Sequence, residues 1–328
     1  MPNKTLKLNP KLFQDDIEQM PTRFGYGDGL VIAGKENPNV VALCADLTDS
    51  TRTSIFKKEF PDRFVEMGIG EQNMASLASG MAAVGKIPFI SSYAMFSPGR
   101  NWEQVRTTIC YNNQNVKIAG AHSGVSVGPD GATHQAIEDI AITRVIPNMV
   151  VIAPCDAIEA KKATIAAVKH KGPVYIRFTR EKTPVMTTEE TPFEIGKAEI
   201  YQEGKNVSII ACGPLLYEAL KAAKELAKEG IEVEVINNHT VKPMDNDTIL
   251  KSVKKTGCVV TIEEHQAAGG MGSAISELLS QNFPAPMEII GVKDRFGESG
   301  EPAQLLEAFG LTSKNIIDKA KKVLKRKI

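Results

Sequence analysis

Glu71 stands in the string Met67-Gly68-Ile69-Gly70-Glu71-Gln72-Asn73-Met74, which sets a carboxylate between a strand-like run and an apolar helix-like one. Ligands bind at the carboxyl ends of strands in doubly wound sheets, so a carboxylate there is placed to hold or move a proton. The same residue would also complement the positive end of a helix, and residue type alone supports both readings. A second string, Ala121-His122-Ser123-Gly124 and then Gly128-Pro129-Asp130-Gly131-Ala132-Thr133-His134-Gln135, again lies where a strand-like run gives way to a helix. It concentrates two of the five histidines, an aspartate and several glycines, and loops at such ends carry function on a rigid scaffold. Asp130 or Thr133 as a helix cap would explain those two residues but not both histidines. Third, Ala45-Asp46-Leu47-Thr48-Asp49-Ser50 closes the first strong strand-like run, Arg23 precedes the first helix, and Arg177 and Arg180 follow the last strand of the first unit. Arginine forks and imidazoles converging on one sheet edge suit a phosphate. A histidine such as His134 is the side chain best suited to acid or base work near neutrality.

These strings need elements that bring them to one edge, and the hydrophobic pattern supplies them. Near-continuous β-branched runs at 40–44, 63–67, 87–91, 116–120, 149–153 and 173–178 suit strands buried on both faces of a parallel sheet. Between them, 71–84 repeats Met74, Leu77, Ala78 and Met81 at helical spacing. The polar stretch 183–192 interrupts the alternation, and strands resume at 207–212, 233–236, 258–262 and 288–292, with a helix at 215–228. The chain is therefore predicted to be α/β: a doubly wound parallel-sheet domain over 1–185, a linker over 186–200, and a smaller α/β domain over 201–328.

Composition excludes several classes of function. Among 328 residues, 39 are basic and 39 acidic, so no electrostatic partner is implied, and neither nucleic acid nor membrane is expected. The one basic stretch, at 321–327, reads as a solvated helix end. The start lacks the apolar core of a secretory signal and no later run is long enough to cross a bilayer, which predicts a cytoplasmic protein. Five scattered cysteines without a Cys-x-x-Cys pair suggest neither disulfides nor zinc, and no metal ligand is expected in the chain. Two glycine strings are read as decoys. Gly27-Asp28-Gly29 imitates the start of a diphosphate and magnesium motif but lacks the Asn pair that completes it, and it belongs in or beside a helix. Gly269-Gly270-Met271-Gly272 imitates a dinucleotide fingerprint without its acidic partner, and reads as a close-packed turn into a helix.

Taken together, Ala45-Asp46-Leu47 with Ser50, Gly70-Glu71-Gln72-Asn73-Met74, Tyr93-Ala94-Met95-Phe96, Asp130-Gly131-Ala132-Thr133-His134-Gln135 and Glu138-Asp139 resemble the transketolases of the thiamine diphosphate superfamily. The resemblance runs over essentially the whole chain, including Glu263-Glu264-His265, but covers only part of a full-length transketolase. It implies the C-terminal section of a transketolase made as two polypeptides, holding the pyrimidine-binding and C-terminal domains. The activity implied is transfer of a two-carbon ketol unit from a ketose phosphate to an aldose phosphate. Glu71 matches the glutamate that hydrogen-bonds N1′ of the cofactor aminopyrimidine in an apolar site, Tyr93 and Phe96 match the aromatic pair lining that pocket, and Asp46 lies near the cofactor or the subunit contact. Arg23, Ser50, His122 and Arg180 match positions that hold a sugar phosphate, with Arg180 preferred to Arg177; Asp130 and His134 match those that bind hydroxyls and help proton transfer. The segment Phe96-Ser97-Pro98-Gly99-Arg100-Asn101-Trp102 departs from the family by a gained residue. Thiamine diphosphate would be shared with an N-terminal subunit that binds its diphosphate and Mg2+, in a dimer of heterodimers. The rivals are a 1-deoxy-D-xylulose-5-phosphate synthase-like enzyme, the β subunit of a 2-oxo acid dehydrogenase, and a non-catalytic binding partner with the same fold.

Overall fold

The computed structural model describes residues 2–327. The first unit carries β1 (Gln19–Pro21), α1 (Thr22–Glu36), β2 (Val40–Cys44), α2 (Ser54–Glu59), β3 (Phe64–Glu66), α3 (Glu71–Ala83) and β4 (Ile87–Tyr93). It continues through α4 (Trp102–Gln104), which runs into a π-helical turn at Val105–Cys110, then β5 (Lys117–Ala121), α5 (Asp139–Arg144), β6 (Val150–Ile152), α6 (Ala157–Lys169), β7 (Val174–Arg177) and β8 (Lys182–Pro184). The second unit holds β9 (Glu199–Gln202), β10 (Val207–Ala211), α7 (Leu216–Lys228), β11 (Val233–Asn237), β12 (Thr240–Lys242), α8 (Asn246–Thr256), β13 (Val259–Gln266), α9 (Met271–Asn282), β14 (Met287–Val292), α10 (Pro302–Ala308) and α11 (Ser313–Leu324).

Six strands of the first unit pair in parallel in the order β6-β7-β5-β4-β2-β3. Strands β2, β5 and β7 are buried at every position, which explains why they read as continuous apolar runs rather than alternating ones. Register then aligns the strand ends. Tyr93 lies opposite Ala121, Gly120 opposite Arg177, and Cys44 opposite both Ser91 and Glu66, so the loops that follow these strands leave one edge of the sheet together.

Helix α1 packs on α6, and its glycines make that possible: a Cβ on Gly25 would sit 1.7 Å from the Ala157 carbonyl oxygen. The string Gly27-Asp28-Gly29 lies inside this helix. In α3 the buried side chains are Glu71, Met74, Ala75, Ala78 and Ser79. Leu77, read from spacing as part of the inward stripe, is instead 40% exposed, because the inward face is centred on 74, 75 and 78 where α3 meets β4 and the π-helical turn.

The second sheet runs β14-β13-β10-β11-β9, parallel except for β9. The glycine turn before α9 is close-packed: the buried Glu263 carboxylate accepts the Met271 and Gly272 amides at 2.7 and 2.8 Å, and a Cβ on Gly270 would sit 2.2 Å from it. The two units exchange pieces. Strand β12 leaves the second unit to pair antiparallel with β6 at the edge of the first sheet. In return Leu6, Leu12 and Ile17 sink into the core built on β10, β11 and β13, and Asn3 donates its backbone amide to Tyr201. Buried ionic contacts fix the joint: Arg177 donates through Nε to Asp139 at 2.8 Å and through Nη2 to the Glu264 carbonyl at 2.7 Å. All five cysteines are buried free thiols; Cys44 ends β2, Cys110 ends the π-helical turn, and Cys155, Cys212 and Cys258 flank elements. Among the described residues no helix is long and apolar enough to cross a membrane.

Candidate active site

Glu71 is the first residue of α3, and its side chain is turned inward rather than to water, at 2% exposure. One carboxylate oxygen accepts Nη1 of Arg100 at 2.7 Å; the other faces the Ser92 hydroxyl at 3.3 Å. Asn101 donates to the Glu71 carbonyl at 3.2 Å and to Ser97 at 3.1 Å, tying the turn after β4 to the start of α3. The apolar carboxyl site expected from sequence is thus polar on one side. Arg100, half-exposed, lies 4.6 Å over the Phe96 ring and neutralises the acid from a distance of 29 positions along the chain. No local pattern announces such a partner.

The rings converge on the same edge. Tyr93, ending β4, stacks on His122, just past β5, with centroids 4.0 Å apart, and lies 6.2 Å from Phe96. His134 meets Phe96 edge-on at 5.4 Å. Strand register makes this meeting inevitable, since Tyr93 and Ala121 are paired neighbours. His122 adopts a left-handed backbone (φ 54°), which turns its ring back over the sheet end. It is buried, its Nδ1 has no partner, and its pKa falls to about 3, first through desolvation and then through the charges of Arg23 and Arg180.

Around these rings stand the cations. Arg23, in the first turn of α1, donates from Nη1 to the Ser50 carbonyl at 2.8 Å while its Nε is buried without an acceptor. Burial and the nearby charges of Arg180 and Arg52 lower its pKa. Arg180 donates to the Val127 carbonyl at 2.6 Å and lies 3.9 Å from Asp130 and 3.8 Å from Glu181. Arg177, by contrast, spends its donors on Asp139 and on the Ala136 and Glu264 carbonyls. Asp130 is exposed at the loop tip and His134 is half-buried, its Nδ1 2.9 Å from the Thr133 hydroxyl. Ser50 contributes its carbonyl to Arg23. Asp46 is exposed, with φ 57°, and its amide donates to Glu66 rather than meeting the ring cluster. Glu71, Tyr93, Phe96, His122, His134, Arg23, Ser50, Arg180 and Asp130 therefore share one sheet edge, with Asp46 on its outer rim.

Gln135 is the further side chain that shapes this edge. It is buried, and Nε2 donates to the Val125 carbonyl and to the Glu298 carbonyl of the second unit, both at 2.9 Å. The loop carrying Asp130 and His134 is thereby seated on residues 297–300 of the other unit. A Cβ on Gly131 would meet Ser299 Oγ at 2.5 Å, and one on Gly297 would meet Gln135 Oε1 at 1.7 Å. Among the described residues no group of three or more His, Cys, Asp or Glu side chains is placed to hold a metal ion.

Comparison with known proteins identifies the two domains. Residues 18–186 match the transketolase pyrimidine binding domain and residues 196–316 the transketolase C-terminal domain. The chain is 44% identical to a putative transketolase C-terminal section from Methanocaldococcus jannaschii, over 93% of this chain and 96% of that protein. It is 41% identical to a 6-deoxy-6-sulfo-D-fructose transketolase subunit from a Clostridium species, over 96% and 98% of the two chains. It is 40% identical to transketolase-like protein 2 of Mus musculus, of which it spans 48%. A solved structure described as a split gene transketolase, an inactive beta4 tetramer, superposes with a TM-score of 0.88 at 45% identity, covering 94% of this chain and 100% of that one. Sheet order, strand-end chemistry and these matches lead to one conclusion: the chain belongs to the transketolase family, as a pyrimidine-binding domain followed by a transketolase C-terminal domain.

Proposed function

We propose that this chain is the C-terminal subunit of a two-polypeptide transketolase, moving a two-carbon ketol group from a ketose phosphate to an aldose phosphate in the cytoplasm. Its working units are 1–185 and 201–328, joined by 186–200. The observation that carries the reading is the convergence on one sheet edge of a buried acid, a stacked aromatic and imidazole wall, and Arg23, whose Nε is buried without an acceptor.

The residues fit thiamine diphosphate. Glu71 offers a buried carboxylate beside the Phe96 face, with the half-exposed Arg100 on one of its oxygens. Bound thiamine diphosphate supplies the electron sink for cleaving the ketose carbon–carbon bond. Glu71 holds a proton at N1′ of the aminopyrimidine, Tyr93 and Phe96 wall the ring and exclude water, and Asp46 borders the cofactor or the subunit contact. His122 is neutral at physiological pH because its pKa lies near 3, so it hydrogen-bonds substrate without adding charge. Arg23 and Arg180 provide the charge for the phosphate, with Ser50 beside them, while Asp130 and His134 bind hydroxyls and His134 moves the proton.

The partner is an N-terminal subunit that holds the diphosphate and Mg2+, in a dimer of heterodimers. Exposed apolar side chains suit a partner: Ile69 just before α3, Leu77 on that helix and Val84 at its far end are 77%, 40% and 79% exposed. The test is to co-purify the chain with an N-terminal section and assay ketol transfer with and without thiamine diphosphate. Activity should require both components and should vanish in Glu71→Ala with the fold retained. Full activity in that variant refutes the assignment. Condensation of pyruvate with glyceraldehyde 3-phosphate would instead favour the deoxyxylulose-phosphate synthase alternative.

A further inference from the structure

We propose that Arg52 determines specificity at this edge: with Arg23 it forms a two-guanidinium seat for a dianionic phosphate headgroup. The inference rests on the sugar-phosphate reading above and adds a residue that no motif in the sequence points to.

Arg52 lies two positions past Ser50, with a left-handed backbone at φ 65°. Such a conformation is unfavourable for a non-glycine residue, so the surrounding contacts must impose it. They do. Its amide donates to the Asp49 carbonyl at 3.1 Å, the Thr51 hydroxyl to Leu47 at 2.9 Å, and the Ser54 amide to Thr48 at 3.1 Å. The loop also presses on α1 where Gly27 leaves room: a Cβ there would meet Arg52 Cβ at 2.9 Å. From that contact the side chain runs along α1 toward its N-terminal turn, and its guanidinium lies 4.1 Å from the centre of the Phe24 ring. The Arg23 guanidinium lies 5.9 Å from the same ring. One glycine of a string that reads as a failed cofactor motif thus has a use.

Two like charges on one ring repel, and burial sharpens the repulsion. Yet among the described residues neither arginine has a carboxylate within 4.0 Å, and Nε of each is buried with no acceptor. By contrast Arg63 is satisfied by the Gly34 and Asn37 carbonyls, Arg144 by Glu277 and Arg177 by Asp139. An orphaned buried donor is costly, and two beside an uncompensated pair of cations mark a place that an oxyanion completes. Arg180 is near enough that its charge also lowers the pKa of Arg23. Guanidinium forks matched to several oxygens select a phosphate monoester over an uncharged hydroxymethyl end.

The experiment uses Arg52→Asn, which removes the charge while suiting a left-handed backbone, and Arg52→Lys, which keeps charge without the fork. Circular dichroism checks folding of each full-length chain. Inorganic phosphate binding to the full chain is measured by calorimetry. In the complex with an N-terminal section, KM is measured for a phosphorylated ketose donor and for erythrulose. Phosphate affinity should fall on the order of 10- to 100-fold in Arg52→Asn, and the KM advantage of the phosphorylated donor by a similar factor, with Arg52→Lys between. Unchanged phosphate affinity, or equal losses for both donors, overturns the role of Arg52. If phosphate binds through Arg52 but the wild-type complex shows no preference for phosphorylated donors, the sugar-phosphate reading fails while the anion seat stands.

Discussion

Gly297→Ala should damage a site on the other unit of the molecule. Gly297 does not have a left-handed backbone, so alanine meets no conformational penalty and any effect is one of contact. Its new Cβ would stand 1.7 Å from Oε1 of Gln135, 2.7 Å from Cδ and 3.2 Å from Cβ. The Gln135 amide is buried and cannot turn aside without breaking its bonds to Val125 and Glu298, each 2.9 Å. Two neutral hydrogen bonds at about 1 kcal/mol each, or the usual cost of overpacking, give a loss of about 2 kcal/mol. Denaturant unfolding of the full chain measures it, with an unchanged m-value. Because Gln135 seats the loop carrying Asp130 and His134, the assembled enzyme should also lose on the order of 10-fold in kcat/KM. A cycle makes the reasoning refutable. Once Gln135→Ala removes the obstructing amide, adding Gly297→Ala should cost under about 0.5 kcal/mol, so the two changes couple strongly. Simple additivity, or a neutral Gly297→Ala alone, would show that the two residues do not meet as described.

Two further outcomes concern the joint between the units. Arg177→Met leaves Asp139 buried beside the Tyr175 hydroxyl without its cation, and should lower stability by about 3–5 kcal/mol in chemical denaturation; a loss below about 1 kcal/mol would mean the pair is dispensable. Glu159 is buried, and desolvation followed by the charge of Asp156 raises its pKa from 4.5 to about 8. The native state therefore binds more protons than the unfolded chain between those values, and this group's contribution to stability is present below pH 4.5 and lost as pH rises to about 8. Lys117, lowered by burial to about 7, contributes an opposing rise above that pH, so the quantity to measure is the stability difference between wild type and Glu159→Gln across the range. That difference should change steadily with pH; a flat one would contradict the raised pKa.

Much of the site is legible in the chain because strand burial is a local property. Runs such as 40–44 are apolar at every position since both faces of a parallel strand are covered, and β2 occupies those same residues. The strings after such runs, Ala45 to Ser50, Ala121 to His134 and Thr179-Arg180, then fall at carboxyl ends of strands without further information. Short or crossing pieces are not legible. Strand β12 is three residues long and its burial comes from a sheet in the other unit, so its own sequence carries no period that assigns it there.

By itself the sequence determines which residue types stand at strand ends, and hence that acid, imidazole and guanidinium chemistry will gather on one edge. Hydrophobic periodicity is enough for this, because it reports whether each position faces a core. Only the tertiary structure decides who neighbours whom once there. Arg100 against Glu71, Tyr93 against His122, Arg52 against Phe24 and Gln135 against Gly297 are contacts between elements. The Gln135 bond to Glu298 spans 163 positions. Such pairings are set by sheet register and by the close approach that glycines permit, which local pattern does not encode.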